Sequence, residues 1–355
     1  MPTFPSSIAT VHPDWLTQVL RKHDCLREAQ VTAIAAQPIG AEFGFLDSLA
    51  CLNLSYDIAE PAAPDSVVVK ISSAEETYRR IGNFYRAYER EFCFYESVAM
   101  RSPIRLPRCW GRESDAESGA HVLILEDLSS LTPGDQVRGL TPLQAKVTLE
   151  TIGQFHAQWW ESPELDSFDW MPSRNIQPAR FRAAWPKYRS TFAAQLSESA
   201  LVLGDELNER LESLLAEVER RPHTIVHSDF RADNLLFDPT SRTQPVVVLD
   251  WQLAIRSQGV LDVARLLCGS LSPHDRAACE MDLLRRWHET LLQGGVQNYS
   301  FAQALQGYRT AALICLYYPV TIHEAEEAAG QRGAALAHAQ IDRFFAAAVE
   351  LAATQ

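Results

Sequence analysis

The chain lacks any long apolar run: nowhere do roughly eighteen apolar residues follow one another, so no membrane-spanning helix is expected. Its first thirty residues hold no basic segment leading into an apolar one, so no secretory leader is read there, and a cytoplasmic protein is expected. Positive charge is in short supply. Lys and Arg number 32 against 45 Asp and Glu, a net charge of -13, which disfavours a nucleic-acid binder that works by neutralising phosphates. The same balance leaves room for a cationic partner, although it is common in cytosolic proteins. Seven cysteines (25, 51, 93, 109, 268, 279, 315) are scattered and none forms C-x-x-C, so reduced thiols packed as small apolar groups are expected. Internal repeats and low-complexity segments are absent too.

What is present is an ordinary globular composition, 46% apolar and 22% charged, in 355 residues. That length suits two domains or one domain with two lobes, and the composition argues against disorder. Residues 13–23, "PDWLTQVLRKH", open with Pro-Asp and place apolar groups at Trp15, Val19 and Leu20, as a short helix would. From 31 to 71, "VTAIAAQPIG", "SLACLNLSYDIA" and "SVVVKIS" are short alternating runs that predict antiparallel strands. A helical period follows over 83–100, then a strand over 120–128. Beyond 140 the chain reads as mostly helical, beginning at a Thr-Pro cap signal, with strands returning only over 224–255. A β-rich half, a boundary near 128 and a larger helical half are expected.

The stretch "IVHSDFRADNLLFD" (225–238) sets His227, Asp229 and Asn234 in the spacing H-x-D-x-x-x-x-N between two apolar runs. Sixteen residues after Asn234, Asp250 ends the run "VVVL". The intervening Asp-Pro turn predicts a hairpin that brings Asp250 back towards Asn234, with Asp238 belonging to the turn. An amide oxygen and a carboxylate suit a hard cation such as Mg²⁺, which completes its shell with water and phosphate. Asp229 is placed to accept a proton from an attacking hydroxyl. Lys70 ends the valine-rich "SVVVK", and Glu91 lies beside a helical stripe of Phe84, Tyr88, Phe92, Tyr95 and Ala99. A lysine and a glutamate at buried positions are best kept as an ion pair.

That order of residues, with "HSDFRADNLLF…VVVLDWQ…GVLDVARLL", resembles the aminoglycoside phosphotransferase and choline kinase families of the protein-kinase-like fold. "YEREFCFYESVA", "VLILEDL" and "IGQFHAQWWESPEL" are similar to the ecdysteroid-kinase-like branch. The resemblance spans residues 38–265. It implies an α+β fold with a small antiparallel N-terminal lobe (1–127) carrying one key helix, and a mostly helical C-terminal lobe (128–355). It further implies that Lys70, positioned by Glu91, holds the nucleotide phosphates, and that Asn234 and Asp250 bind Mg²⁺. Asp229 would be the catalytic base or the carboxylate that orients the hydroxyl, Arg231 would face the transferred phosphate, and Glu126, Asp127 and Leu128 would contact the nucleotide base through the main chain. His227 and Asp262 would support the loop.

Departures from the pattern narrow this. No G-x-G-x-x-G is present, so only Gly40 and Gly44 stand for a phosphate loop. Asp250-Trp251-Gln252 replaces D-F-G and no A-P-E element follows, which favours a small-molecule kinase over a protein kinase. The expected reaction is transfer from ATP, with GTP not excluded, to a hydroxyl of a small molecule. A bulky, partly apolar alcohol is the first expectation for the acceptor; a cationic one (aminoglycoside, choline or amino alcohol) is the second. A non-catalytic nucleotide-binding module and a metal-dependent hydrolase using His227 and Asp229 are the competing readings. His156, Trp159, Trp160 and residues 313–320 are expected in the helical core, and "EAEEAA" (324–329) on a solvated helix face.

Overall fold

The computed structural model describes residues 4–39, 47–73, 75–115, 120–328 and 330–352. Gly40 and Gly44 lie outside the described residues. The chain forms two compact units.

The first unit comprises Met1–Arg101, Leu106–Leu131 and Leu249–Gln252. It holds helix α1 (Pro13–Lys22), strands β1 (Val31–Pro38), β2 (Asp47–Tyr56) and β3 (Ser66–Ser72), helices α2 (Glu76–Phe84) and α3 (Ala87–Ser97), and strands β4 (Cys109–Ser114) and β5 (His121–Glu126). The five strands form one antiparallel sheet in the order β1-β2-β3-β5-β4. Alternation decides its two faces. Val67, Val69 and Ile71 of β3, with Ala50 and Leu52 of β2, pack in one core with Trp15, Leu16, Val19 and Leu20 of α1. Lys70, one residue out of that phase, therefore points to the opposite face. Asp47, Leu49 and Cys51 share it by the same period.

The helical segment expected over 83–100 is interrupted. Arg86 takes a left-handed conformation (φ 52°) between α2 and α3, with its guanidinium on Glu89 at 2.6 Å. The break takes Phe84 out of phase with the α3 stripe and leaves it 64% exposed. Strand β4 lacked a clear alternating pattern and was not expected.

The second unit comprises Ser102–Arg105, Thr132–Val248 and Leu253–Gln355. Its elements in chain order are β6 (Thr132–Pro133), α4 (Pro142–Trp159), α5 (Pro178–Phe192), α6 (Glu198–Val218), β7 (Thr224–Val226), β8 (Leu235–Phe237), β9 (Val246–Val248), β10 (Ile255–Ser257), α7 (Val260–Ser270), α8 (Pro273–Gln293), α9 (Phe301–Ile314), α10 (Tyr317–Ala328) and α11 (Gly330–Ala352). Thr141 caps α4 reciprocally with Gln144, satisfying two end groups of the helix. Helix α7 is the central element and is buried over nearly its whole length. Helix α5 carries Pro186 inside it.

One expectation for this unit is overturned. Glu324 is exposed and pairs with Lys187, but Glu326 is buried and accepts a hydrogen bond from Gln340. Val320, His323 and Glu326 follow one another at a spacing of three, so they share the face of α10 that packs inward. Among the described residues no helix is long and apolar enough to cross a membrane.

Candidate active site

The first unit collects three acids around one lysine. Lys70 Nζ lies 2.6 Å from Glu91 Oε2, 2.8 Å from Asp250 Oδ1 and 3.2 Å from Asp47 Oδ2. Glu91 comes from α3, Asp47 from the start of β2, and Asp250 from 180 residues along the chain. Trp251 fixes the segment that carries Asp250: fully buried, it stacks on Phe94 of α3 with ring centroids 4.3 Å apart. Asp250 itself sits at φ 63°, a strained backbone position that aspartate tolerates better than most residues. Its second oxygen accepts from Gln252 Nε2 at 3.1 Å.

One ammonium does not neutralise three carboxylates, two of them buried and the third, Asp250, partly exposed. Burial and the neighbouring acids raise Glu91 to about 7 and Asp47 to about 6, although Lys70 pulls both down. Burial lowers Lys70, but the three carboxylates together hold it well above its ordinary range. Asp47 is a participant that sequence reasoning missed; its phase on β2 with Leu49, which pairs directly with Lys70, was the available signal.

This surplus charge has a measurable consequence. A carboxyl raised by folding keeps its proton in the folded state at a pH where the unfolded chain has released it. The associated stability is full below the ordinary carboxylate range and is lost as the pH rises through about 6 and about 7. Asp47→Asn removes one acid at constant size. Its thermal midpoint is expected to exceed the parent's at about pH 8 and to match it at about pH 3.5, below the ordinary carboxylate range; an equal shift at both would count against this account.

Glu126, Asp127 and Leu128 close β5. Glu126 exchanges hydrogen bonds with the Arg108 backbone, its N–H to the carbonyl and its carboxylate from the N–H. Asp127 accepts from the Ser66 hydroxyl at 2.7 Å and the Ser129 N–H at 3.0 Å, and these outweigh burial to hold it at about 2. Leu128 is buried.

In the second unit, the loop between β7 and β8 carries the H-x-D-x-x-x-x-N residues. Asp229 Oδ1 accepts from Arg265 at 3.0 Å, and Oδ2 from Asn234 Nδ2 at 3.2 Å and Arg231 Nε at 3.3 Å. Burial raises its pKa, but the two guanidiniums and His227 hold it at about 2, while 22% of the side chain stays exposed. Asn234 also gives Nδ2 to the Asp229 carbonyl at 2.8 Å, which turns its oxygen, the harder ligand, away from Asp229. Asp233 accepts from the Gln136 N–H and from Arg332, and pairs with Arg231. Asp238 accepts from Thr240 and the Ser241 N–H and pairs with Arg105, so it organises the β8–β9 turn.

The loop is braced from α7. Asp262, fully buried, accepts from the His227 N–H at 2.7 Å and the Ser228 N–H at 2.9 Å. His156 completes that carboxylate's partners. Trp287 donates to its Nδ1 at 3.1 Å, so the proton sits on Nε2, 3.2 Å from Asp262. His227 Nδ1 accepts from the Asp229 N–H. Ser228 stands at φ 69°, with Tyr318 donating to its carbonyl and Asn175 to its hydroxyl. Trp159 is in the core against Phe168, and Trp160 packs on Tyr299. Arg265 was not singled out by the sequence, and Tyr318 only as part of the 313–320 run expected in the core; both sit in apolar helical runs, where no local pattern marks their contact with the loop.

Taken unit by unit, the donors are hard ones: Asp250 offers a carboxylate in the first unit and Asn234 an amide oxygen in the second. Among the described residues no cluster of three or more His, Cys, Asp or Glu could hold a metal. Asn234 immediately precedes β8, where Leu235 pairs with Val248 of β9.

A family model described as the phosphotransferase enzyme family matches residues 52–314. Acyl-CoA dehydrogenase family member 10 of Mus musculus is 28% identical over 191 residues, 50% of this chain and 16% of that protein. An uncharacterized kinase-like protein of Caenorhabditis elegans is 24% identical over 237 residues, 62% of this chain and 61% of its own length. The chain thus spans less than two thirds of either relative. The structure of the GDP complex of wild-type aminoglycoside 2'-phosphotransferase-IIIa superposes with a TM-score of 0.56 at 15% identity, covering 89% of this chain and 94% of that one. That likeness establishes the kinase-like fold.

Proposed function

This chain belongs to the phosphotransferase enzyme family, and from that premise we propose that it moves the γ-phosphate of a nucleoside triphosphate, ATP or GTP, to a hydroxyl group of a small molecule. The observation that carries this reading is the ion cluster of Lys70 with Glu91 and Asp250, assembled from distant parts of the chain. Such a cluster poises a cation for phosphates and a carboxylate for a metal.

In this reading residues 1–127 bind the nucleotide and residues 128–355 carry the catalytic loop and the acceptor. Lys70, oriented by Glu91, takes the α- and β-phosphates, and the main chain of Glu126–Leu128 takes the base. Asp250 and Asn234 hold Mg²⁺, which when bound offsets negative charge on the phosphates. Asp229 accepts a hydrogen bond from the acceptor hydroxyl and aims its oxygen at the γ-phosphorus. The new P–O bond forms as the bond to the bridging oxygen breaks, and the nucleoside diphosphate leaves. Asp229, held below the ordinary carboxylate range, orients the hydroxyl and takes up its proton late, as the P–O bond forms. Arg231, 17% exposed and shared between Asp229 and Asp233, is within the loop that meets the transferred phosphate.

The acceptor is the open part of the proposal. A bulky apolar alcohol rests on the resemblance alone, because Trp159 is spent on the core. A cationic acceptor draws on the net charge of -13. The test incubates the protein with ATP or GTP, Mg²⁺ and a panel of sterols, amino alcohols, choline, aminoglycosides and other hydroxylated metabolites, following nucleoside diphosphate release. Acceptor-dependent release is expected with one class. Tight nucleotide binding without transfer to any acceptor or to water would instead favour a non-catalytic module.

A further inference from the structure

Asp229 is gripped by a residue that no motif marks. We infer that Arg265 is the positioning residue of the phosphoryl transfer, fixing the plane of the Asp229 carboxylate through Oδ1 so that Oδ2 is presented to the acceptor hydroxyl; this rests on the function proposed above.

The geometry is specific. Arg265 donates from Nη2 to Asp229 Oδ1 at 3.0 Å and is only 2% exposed. Its Nε and Nη1 have no hydrogen-bond partner among the described residues. A guanidinium buried with two donor nitrogens unspent is a poor device for stability, because desolvation of those groups is not repaid. What holds it in place is aromatic: the guanidinium carbon lies 4.0 Å from the Tyr318 ring centroid and 5.3 Å from that of Phe344. Tyr318 in turn donates its hydroxyl to the Ser228 carbonyl at 2.9 Å, next to Asp229. The arginine is therefore built against the loop it serves.

Helix α7 supplies both halves of the grip. Asp262 and Arg265 are three residues apart and share one helical face. Asp262 fixes the loop backbone at His227 and Ser228, and Arg265 fixes the side chain that follows. Arg265 holds Oδ1 at 3.0 Å, while Oδ2 accepts across the longer hydrogen bonds from Asn234 at 3.2 Å and Arg231 at 3.3 Å, and Oδ2 is the oxygen an incoming hydroxyl would share. Without Arg265 the carboxylate would turn about its Cβ–Cγ bond. A misplacement on the order of 1 Å costs about 10²-fold in a transfer that depends on in-line placement.

The acceptor being unidentified, the experiment uses water as the acceptor: slow hydrolysis of Mg²⁺-ATP by the full chain, followed as phosphate release. Four proteins are compared: parent, Arg265→Met, Asp229→Asn and the double variant. Arg265→Met is expected to lower kcat by about 10- to 100-fold with KM for ATP within about twofold of the parent. The double variant is expected to be no slower than Asp229→Asn alone, since both changes act through one carboxylate. Arg265→Lys, which keeps a cation in the aromatic pocket, is expected to fold and to show an intermediate kcat at full nucleotide affinity, and it decides the matter should the methionine variant not fold.

Parent-like kcat in Arg265→Met or Arg265→Lys, a rise in KM alone, or a full additional loss in the double variant would each overturn the assignment. Failure of Asp229→Asn to slow hydrolysis would instead strike at the proposed function itself.

Discussion

Asp229→Asn is expected to lower acceptor-dependent phosphoryl transfer by about 10²- to 10⁴-fold while nucleotide affinity stays within about twofold of the parent. The substitution keeps the size of the side chain and removes the charge that orients a hydroxyl proton. It also puts an amide beside Arg265, Arg231 and Asn234, all of them donors aimed at what was a carboxylate. The remaining carbonyl oxygen satisfies only part of that set, so the loss in kcat is the signature to measure, by steady-state kinetics beside calorimetric nucleotide binding. The parent should show no acidic limb from Asp229 between about pH 5 and about pH 8. Its pKa is depressed to about 2, so the group is ionised throughout that window. Unchanged turnover in Asp229→Asn would remove Asp229 from the reaction.

The second large effect is expected at Lys70. Lys70→Met leaves Asp47, Glu91 and Asp250 facing one another without a cation. Breaking a buried ion cluster by removing one partner costs about 3–5 kcal/mol. The sign with pH is distinctive: with the ammonium gone the carboxyls are raised further, so the variant recovers stability as the pH falls and they take up protons, and loses most at about pH 8. Affinity for Mg²⁺-ATP is expected to fall at least about 30-fold, the equivalent of about 2 kcal/mol of charge-assisted contact. Calorimetry of nucleotide binding beside thermal melts across pH separates the two effects. Parent-like nucleotide affinity would show that Lys70 serves the cluster alone.

Both expectations involve residues that stood out before any fold was known, for the same physical reason. Lys70 and Asp250 each ended a run of apolar residues, where an unpaired charge is costly, and Asp229 and Asn234 lay between two such runs. The strands β1, β2, β3 and β5, helices α1 and α4, and the β8–β9 hairpin were legible because alternation, capping and turn chemistry are local. The segment around Arg86 was not. A left-handed residue has no periodicity, and the helical stripe ran straight across the break, carrying Phe84 with it. Glu326 was misread because a run of glutamates looks solvated until the face of α10 that packs inward is known.

The sequence by itself determined which chemical groups exist here and which of them sit at apolar strand ends: the lysine, the paired carboxylates, the amide and the loop that spaces them. Tertiary structure alone decided their partners. That Asp47 is the third acid on Lys70, that Arg265 holds Asp229 against Tyr318, and that Asp262 divides its oxygens between two backbone N–H groups all depend on sheet register and helix packing. Those join residues tens to nearly two hundred positions apart, a distance over which local sequence pattern carries no information.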